Sequence, residues 1–167
     1  MSLKSLFSAA LAVGLLMTGS ASAADDEPAF VTFAVGAYDV NDDEDNTAEF
    51  RLEYRSDYQF WHLKPFAAVA GTASGSFFAG AGVLMDVYFG RRVVVTPSFA
   101  PHFYAKGGSD KDLDYPLEFR SQLEVAYRFD NRSRLGLAIS HYSNASLGDS
   151  NPGVETLSLN YSYPLGN

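Results

Sequence analysis

From about residue 30 onward the chain alternates apolar and polar side chains with a period of two, the mark of strands with two unlike faces. The clearest stretch is 117–129. Leu117, Phe119, Leu123, Val125, Tyr127 and Phe129 fall on one face with Ser121, and Glu118, Arg120, Gln122, Glu124 and Arg128 fall on the other with Ala126. The same rhythm sets Ala48, Phe50, Leu52 and Tyr54 against Glu49, Arg51, Glu53 and Arg55. It recurs where Leu157, Leu159, Tyr161 and Tyr163 alternate with Thr156, Ser158, Asn160 and Ser162. Extended this way, the pattern predicts eight strands, near 30–40, 47–56, 63–71, 77–89, 92–104, 116–129, 132–143 and 154–163. Alanine and glycine blur the faces of the third. Three connections are long and polar: 41–46, 106–115 and 144–153. Asp130-Asn131 and Gly90-Arg91 read as tight turns, so long and short connections alternate along the chain.

Alternation fits two architectures. A soluble sandwich or lipocalin-like barrel turns its apolar face inward, whereas a small membrane barrel turns it outward and fills its interior with polar side chains. Strands of this length cross an outer membrane when tilted. The aromatic content, 13 Phe, 10 Tyr and 1 Trp, favours the membrane barrel. So does a charged fraction of 19%, against about a quarter in soluble domains. The fold expected is therefore all-β, an eight-stranded antiparallel transmembrane β-barrel of the outer membrane. Glu118, Arg120, Glu124, Arg128, Glu49, Arg51, Glu53 and Arg55 would form an interior salt-bridge network. One feature departs from the usual pattern: outer-membrane barrels often end on an aromatic residue, and here four residues follow Tyr163.

Residues 1–23 change the picture of location. Lys4, the apolar run from Leu6 to Met17 and Ala21-Ser22-Ala23 form a secretory signal with a small-residue cleavage site. The run is too short to span a bilayer as a helix, and a retained anchor is the alternative. The domain reading is thus 1–23 cleaved signal and 24–167 a single barrel domain. Losing Lys4 moves the formal charge from −8 to −9, which argues against a nucleic-acid-binding protein. There is no cysteine, hence no disulfide and no thiol nucleophile. The acidic run Asp42, Asp43, Glu44 and Asp45 reads as a solvated loop rather than a cation site.

The chain has three histidines. His62, beside Trp61, reads as part of an interfacial aromatic belt, and His102, beside Pro101 at a strand end, as structural or loop-lining. His141 differs because Ser143 follows at i+2, on the same face of one strand. Glu155 opens the next strand, which would pair antiparallel and bring the carboxylate beside the imidazole. A hydroxyl, an imidazole and a carboxylate so placed can form a nucleophilic triad, whatever their order along the chain. His141 and Ser143 continue the odd, apolar series of Leu135, Leu137 and Ile139, and Glu155 begins that of Leu157 and Leu159. All three would then sit on the outer wall near one rim. Polar groups facing lipid are costly and usually functional. Parity alone does not separate that reading from three polar residues at an exposed rim.

The run His141-Tyr-Ser143-Asn144-Ala145, with Glu155 after Asn151-Pro-Gly153, resembles the lipid A 3-O-deacylase (PagL) family. The resemblance is sharp over about 141–163 and elsewhere rests on size, signal and strand pattern. It implies an eight-stranded outer-membrane barrel that hydrolyses the ester at the 3 position of lipid A. Ser143 would be the nucleophile, His141 the general base and then acid, and Glu155 the orienting carboxylate. It also implies an oxyanion role for Asn144, helped by backbone N–H groups, provided the chain turns there. No cofactor or metal is expected. The partners expected are lipid A and outer-membrane lipid, with a homodimer as an open alternative and no nucleic acid. Arg91, Arg92, Lys106 and Lys111 are candidates for lipid phosphates by location only. A phospholipid esterase with the same three residues, and a non-enzymatic barrel for adhesion or envelope stability, are the competing readings.

Overall fold

The computed structural model describes residues 27–41 and 46–166; the signal segment 1–23 and the acidic run 42–45 lie outside the described residues. The strands are β1 (Ala29–Tyr38), β2 (Thr47–Arg55), β3 (Lys64–Thr72), β4 (Phe77–Leu84), β5 (Val87–Phe89), β6 (Val93–Ala105), β7 (Leu117–Arg128), β8 (Arg134–Ser143) and β9 (Val154–Leu165). Each pairs antiparallel with its neighbours in the sheet, and two pairings, β1 with β9 and β4 with β6, close the sheet on itself.

β4 and β5 are two stretches of one strand, so the barrel has the eight staves that the alternation predicts. Leu84 opposes Ser98 and Val87 opposes Val95, so the pairing with β6 runs through without a slip. The interruption has a covalent cause. Met85 N–H donates to Pro97 O at 3.1 Å, but Pro97 has no N–H to return. At its C-terminal end β9 runs two residues beyond the predicted 163, where Ala29 and Phe30 pair with Leu165 and Pro164.

The alternation fixes which face is which. Glu49, Arg51, Glu53, Arg55, Glu118, Arg120 and Glu124 are all buried, while Phe33, Phe50, Leu52, Val125, Leu137, Leu157 and Leu159 are exposed. A water-soluble barrel would reverse this, so the exposed apolar wall is built for lipid. An eight-stranded barrel is just wide enough for side chains to fill. Here the filling is ionic. Glu53 accepts from Arg51 at 3.0 Å, Arg55 at 2.9 Å and Arg120 at 2.7 Å, and Arg55 also reaches Glu124 at 2.7 Å. Asn160 and Gln122 extend the network through Glu124 and Arg51. Charges so deep are tolerable because Glu49, Arg51, Glu53, Arg55, Arg120 and Glu124 pair with one another. Two residues depart from the predicted network: Arg128 sits partly exposed at one rim, bonded to Glu27 at 2.6 Å, and Glu118 is buried in the interior with no hydrogen-bond partner at either carboxyl oxygen among the described residues.

The antiparallel order puts residues 39–41 and 46 and the connections 73–76, 106–116 and 144–153 at one end of the barrel. The connections 56–63, 90–92 and 129–133 lie at the other. The first end is closed from inside by Tyr38, Phe78, Tyr104 and Tyr142, packed with Leu113 and Val154. His102, expected at a strand end, instead lies within β6, buried and packed edge-on against Tyr142. Its Nδ1 bonds to Ala100 O at 3.1 Å, so it serves this interior rather than a loop.

Candidate active site

β8 and β9 pair so that His141 stands directly opposite Glu155. Both continue the outward series of their strands, and Ser143 lies two residues along β8 on the same face. The structure therefore brings the three predicted residues to one patch of the outer wall, at the end of the barrel that carries the long connections. His141 Nδ1 lies 3.2 Å from Glu155 Oε1. An ionised carboxylate only accepts, so Nδ1 carries the proton and donates it. The other ring nitrogen, Nε2, then carries the lone pair that can act as a base. The His141 side chain keeps 33% of its exposure and that of Glu155 only 10%, so the carboxylate is shielded while the imidazole stays reachable.

The turn after Ser143 is the local device that makes the site more than a strand end. Ala145 and Ser146 are both left-handed, with φ of 53° and 63°, so the chain folds back at once. Asn144 holds that fold from within and is fully buried. Its Nδ2 donates to Leu113 O at 3.0 Å and Ser150 O at 2.8 Å, and its Oδ1 accepts from Ser146 N at 2.9 Å. Its own backbone N–H donates to Asn151 Oδ1 at 3.1 Å. Both side-chain N–H groups of Asn144 are thus spent on carbonyls. The Ala145 N–H, by contrast, has no acceptor among the described residues.

Three contributors to this patch escape sequence reasoning. Gly153, with φ of 64°, lies against the imidazole: a Cβ there would come within 3.1 Å of His141 Cε1 and 3.8 Å of Nε2. The motif carries this glycine, but strand spacing says nothing of what it touches. The connection 106–116 is the second. Leu113 is buried in the cap, Lys111 binds buried Asp39 at 2.9 Å, and Asp114 Oδ2 accepts from Ser150 N at 2.7 Å. A lone leucine inside a polar loop was the only hint of this docking. The third is Ser121 of β7, directly opposite His141 on the side away from Glu155, a hydroxyl within an otherwise apolar outward series.

The basic candidates divide. Arg91 and Arg92 sit at the end of the barrel away from His141, with Arg92 paired to Asp130 at 2.7 Å, so they cannot serve a ligand of this site. Lys111 is committed to Asp39 inside the cap. Lys106 remains at the site end, 3.6 Å from Asp112. Among the described residues no cluster of His, Asp or Glu is placed to hold a metal ion.

Residues 29–164 match the family model described as lipid A 3-O-deacylase (PagL). A lipid A deacylase PagL of Pseudomonas aeruginosa is 36% identical over 56 residues, which is 34% of this chain and 32% of that protein. A lipid A deacylase PagL of Bordetella bronchiseptica is 26% identical over 109 residues, 65% of this chain and 53% of that protein. The chain thus aligns with about a third and about half of the lengths of these relatives. In three dimensions it is similar to the crystal structure of the outer membrane enzyme PagL, with a TM-score of 0.67, 22% identity, and 81% and 99% of the two chains covered. It is also similar to a de novo designed transmembrane β-barrel, with a TM-score of 0.56, 11% identity, and 84% and 98% covered. Both likenesses concern the fold.

Proposed function

The chain belongs to the lipid A 3-O-deacylase (PagL) family, and from that premise we propose that it is an outer-membrane esterase that hydrolyses the 3-O-linked acyl ester of lipid A and releases a 3-hydroxy fatty acid. The observation that carries the reading is the His141–Glu155 hydrogen bond on the outer wall, with Ser143 two residues away on the same face. In outer-membrane barrels the long connections face the cell exterior. That orientation puts the patch at the level of the outer leaflet, where lipid A resides.

In this mechanism Ser143 Oγ attacks the ester carbonyl while its proton passes to His141 Nε2. Glu155 holds the Nδ1–H, keeps the ring in the productive tautomer and stabilises the imidazolium that forms. The tetrahedral intermediate collapses, the C–O bond to the sugar breaks, and His141 returns the proton to the leaving sugar hydroxyl. Water, deprotonated by the same imidazole, then attacks the acyl-serine and frees the fatty acid. Oxyanion stabilisation falls to the loop that Asn144 organises. We assign Asn144 the part of fixing that loop, with the Ala145 N–H as a donor to the oxyanion. Because the site opens on the lipid wall, the substrate reaches it laterally.

The test is mass spectrometry of lipid A and phospholipids from a Gram-negative host with and without the protein. Loss of the 3-O-acyl chain from lipid A, with phospholipids intact, is the expected result. Phospholipid cleavage with unchanged lipid A would favour the phospholipid esterase, and no change in either would favour a non-enzymatic barrel.

A further inference from the structure

Each strand turns one face toward lipid, and along those faces polar side chains are nearly absent. Tyrosines apart, the outward positions of the described strands carry four polar residues: His141, Ser143, Glu155 and Ser121. The first three make up the proposed triad. The fourth, Ser121, is the direct cross-strand partner of His141 on β7. A hydroxyl on a lipid-facing wall is costly unless it meets a polar group. Ser121 is half-buried, and its hydroxyl makes no hydrogen bond among the described residues. It is also a short side chain beside two rings. Phe99, its partner on β6, and Phe119 stack with centroids 6.0 Å apart and planes at 10°, so Ser121 floors a notch in a bulky wall.

The order of side chains from rim to midplane says what reaches that notch. β8 ends on Ser143 at the end of the long connections, so His141 lies deeper in the wall, and Ser121 shares its rung of the ladder. The next rungs inward are apolar throughout: Leu123, Ile139 and Leu157, then Val125, Leu137 and Leu159. An ester whose carbonyl sits at Ser143, and whose chain follows this wall into the membrane, passes Ser121 before it meets the apolar rungs. We propose that Ser121 is a specificity-determining residue whose hydroxyl hydrogen-bonds the 3-hydroxyl of the departing acyl chain, an inference that rests on the lipid A esterase reading above. The span fits. Two residues along a strand cover roughly 6.6 Å. A hydroxyl on the second carbon beyond the carbonyl, joined by one O–H···O bond of about 2.8 Å, bridges that drop. Either hydroxyl can donate. A chain without the 3-hydroxyl leaves Ser121 facing hydrocarbon, with its hydroxyl unpaired, and so binds less well.

The test gives purified, folded protein two synthetic lipid A analogues in detergent micelles. They are identical except that the 3-O-acyl chain is 3-hydroxytetradecanoyl in one and tetradecanoyl in the other. The ratio of kcat/KM for the two, read as fatty acid released, isolates the contact. The parent chain should favour the hydroxylated ester about tenfold, as one neutral hydrogen bond allows. Ser121→Ala should bring the ratio close to one, and Ser121→Thr, which keeps a hydroxyl, should hold most of it. The same ratio in the parent and in Ser121→Ala would overturn the inference. That includes the case in which both esters slow together, as a role in proton transfer requires. If release in that case still depends on Ser143, the esterase reading stands without it. No release from either analogue would remove both.

Discussion

His141 and Glu155 are direct cross-strand partners on the outward face of β8 and β9, joined at 3.2 Å through Nδ1. Antiparallel pairing sets this contact without help from any loop. The acid–imidazole half of the site is thus as rigid as the barrel, whereas the nucleophile's surroundings depend on the turn that follows it.

Glu155→Gln keeps the shape of the pair but removes the charge and permits the wrong imidazole tautomer. Turnover should fall roughly 10⁴-fold, with the substrate KM little changed. Steady-state hydrolysis of lipid A by the purified barrel measures it; a loss below tenfold would remove Glu155 from the role proposed.

Asn144→Ala deletes two donated and one accepted hydrogen bond inside the loop at once. The barrel should fold, since no ladder bond is touched, but kcat should fall about 10²–10³-fold if the loop presents an oxyanion donor. Leu113→Ala should act in the same direction and more weakly, because its carbonyl remains while its anchor in the cap is lost. Activity per folded molecule, with folding scored by heat-modifiable mobility, reports both.

Gly153 allows two explanations that a pair of variants resolves. Asparagine tolerates left-handed backbone, whereas alanine does so poorly, yet both bring a Cβ against His141. If that contact with the imidazole matters, Gly153→Asn and Gly153→Ala both lose activity. If only backbone freedom matters, Gly153→Asn retains most of it. The first outcome is expected, with kcat affected more than KM.

Glu53→Gln leaves Arg51, Arg55 and Arg120 short of a shared buried partner. Breaking a buried ionic cluster from one side costs about 3–5 kcal/mol, so the unfolding midpoint in urea should drop markedly. Hydrolysis by the fraction that remains folded should be unchanged, because the cluster faces the lumen and the site faces lipid.

Much of this molecule is readable from its residues because a strand has only two faces. Once Leu117 to Phe129 is recognised as a strand, the parity of Arg120 and Leu123 follows, and so does the outward placing of His141, Ser143 and Glu155. The aromatic content correctly decides which face meets lipid. What alternation cannot supply is contact between loops. Leu113, Asp114 and Asn144 are brought together by the docking of one irregular segment on another, and no periodicity encodes that. The same holds for Arg91 and Arg92, whose distance from His141 follows from topology rather than from local sequence. The interruption at Met85 was hidden for another reason: its cause, Pro97, lies on the neighbouring strand.

The most direct test of the central claim is hydrolysis of purified lipid A by purified, folded protein and by its Ser143→Ala variant, read as 3-hydroxy fatty acid released. The account predicts release by the parent chain and a loss of about four to six orders of magnitude in the variant, at equal heat-modifiable folding. Full release by Ser143→Ala would contradict it.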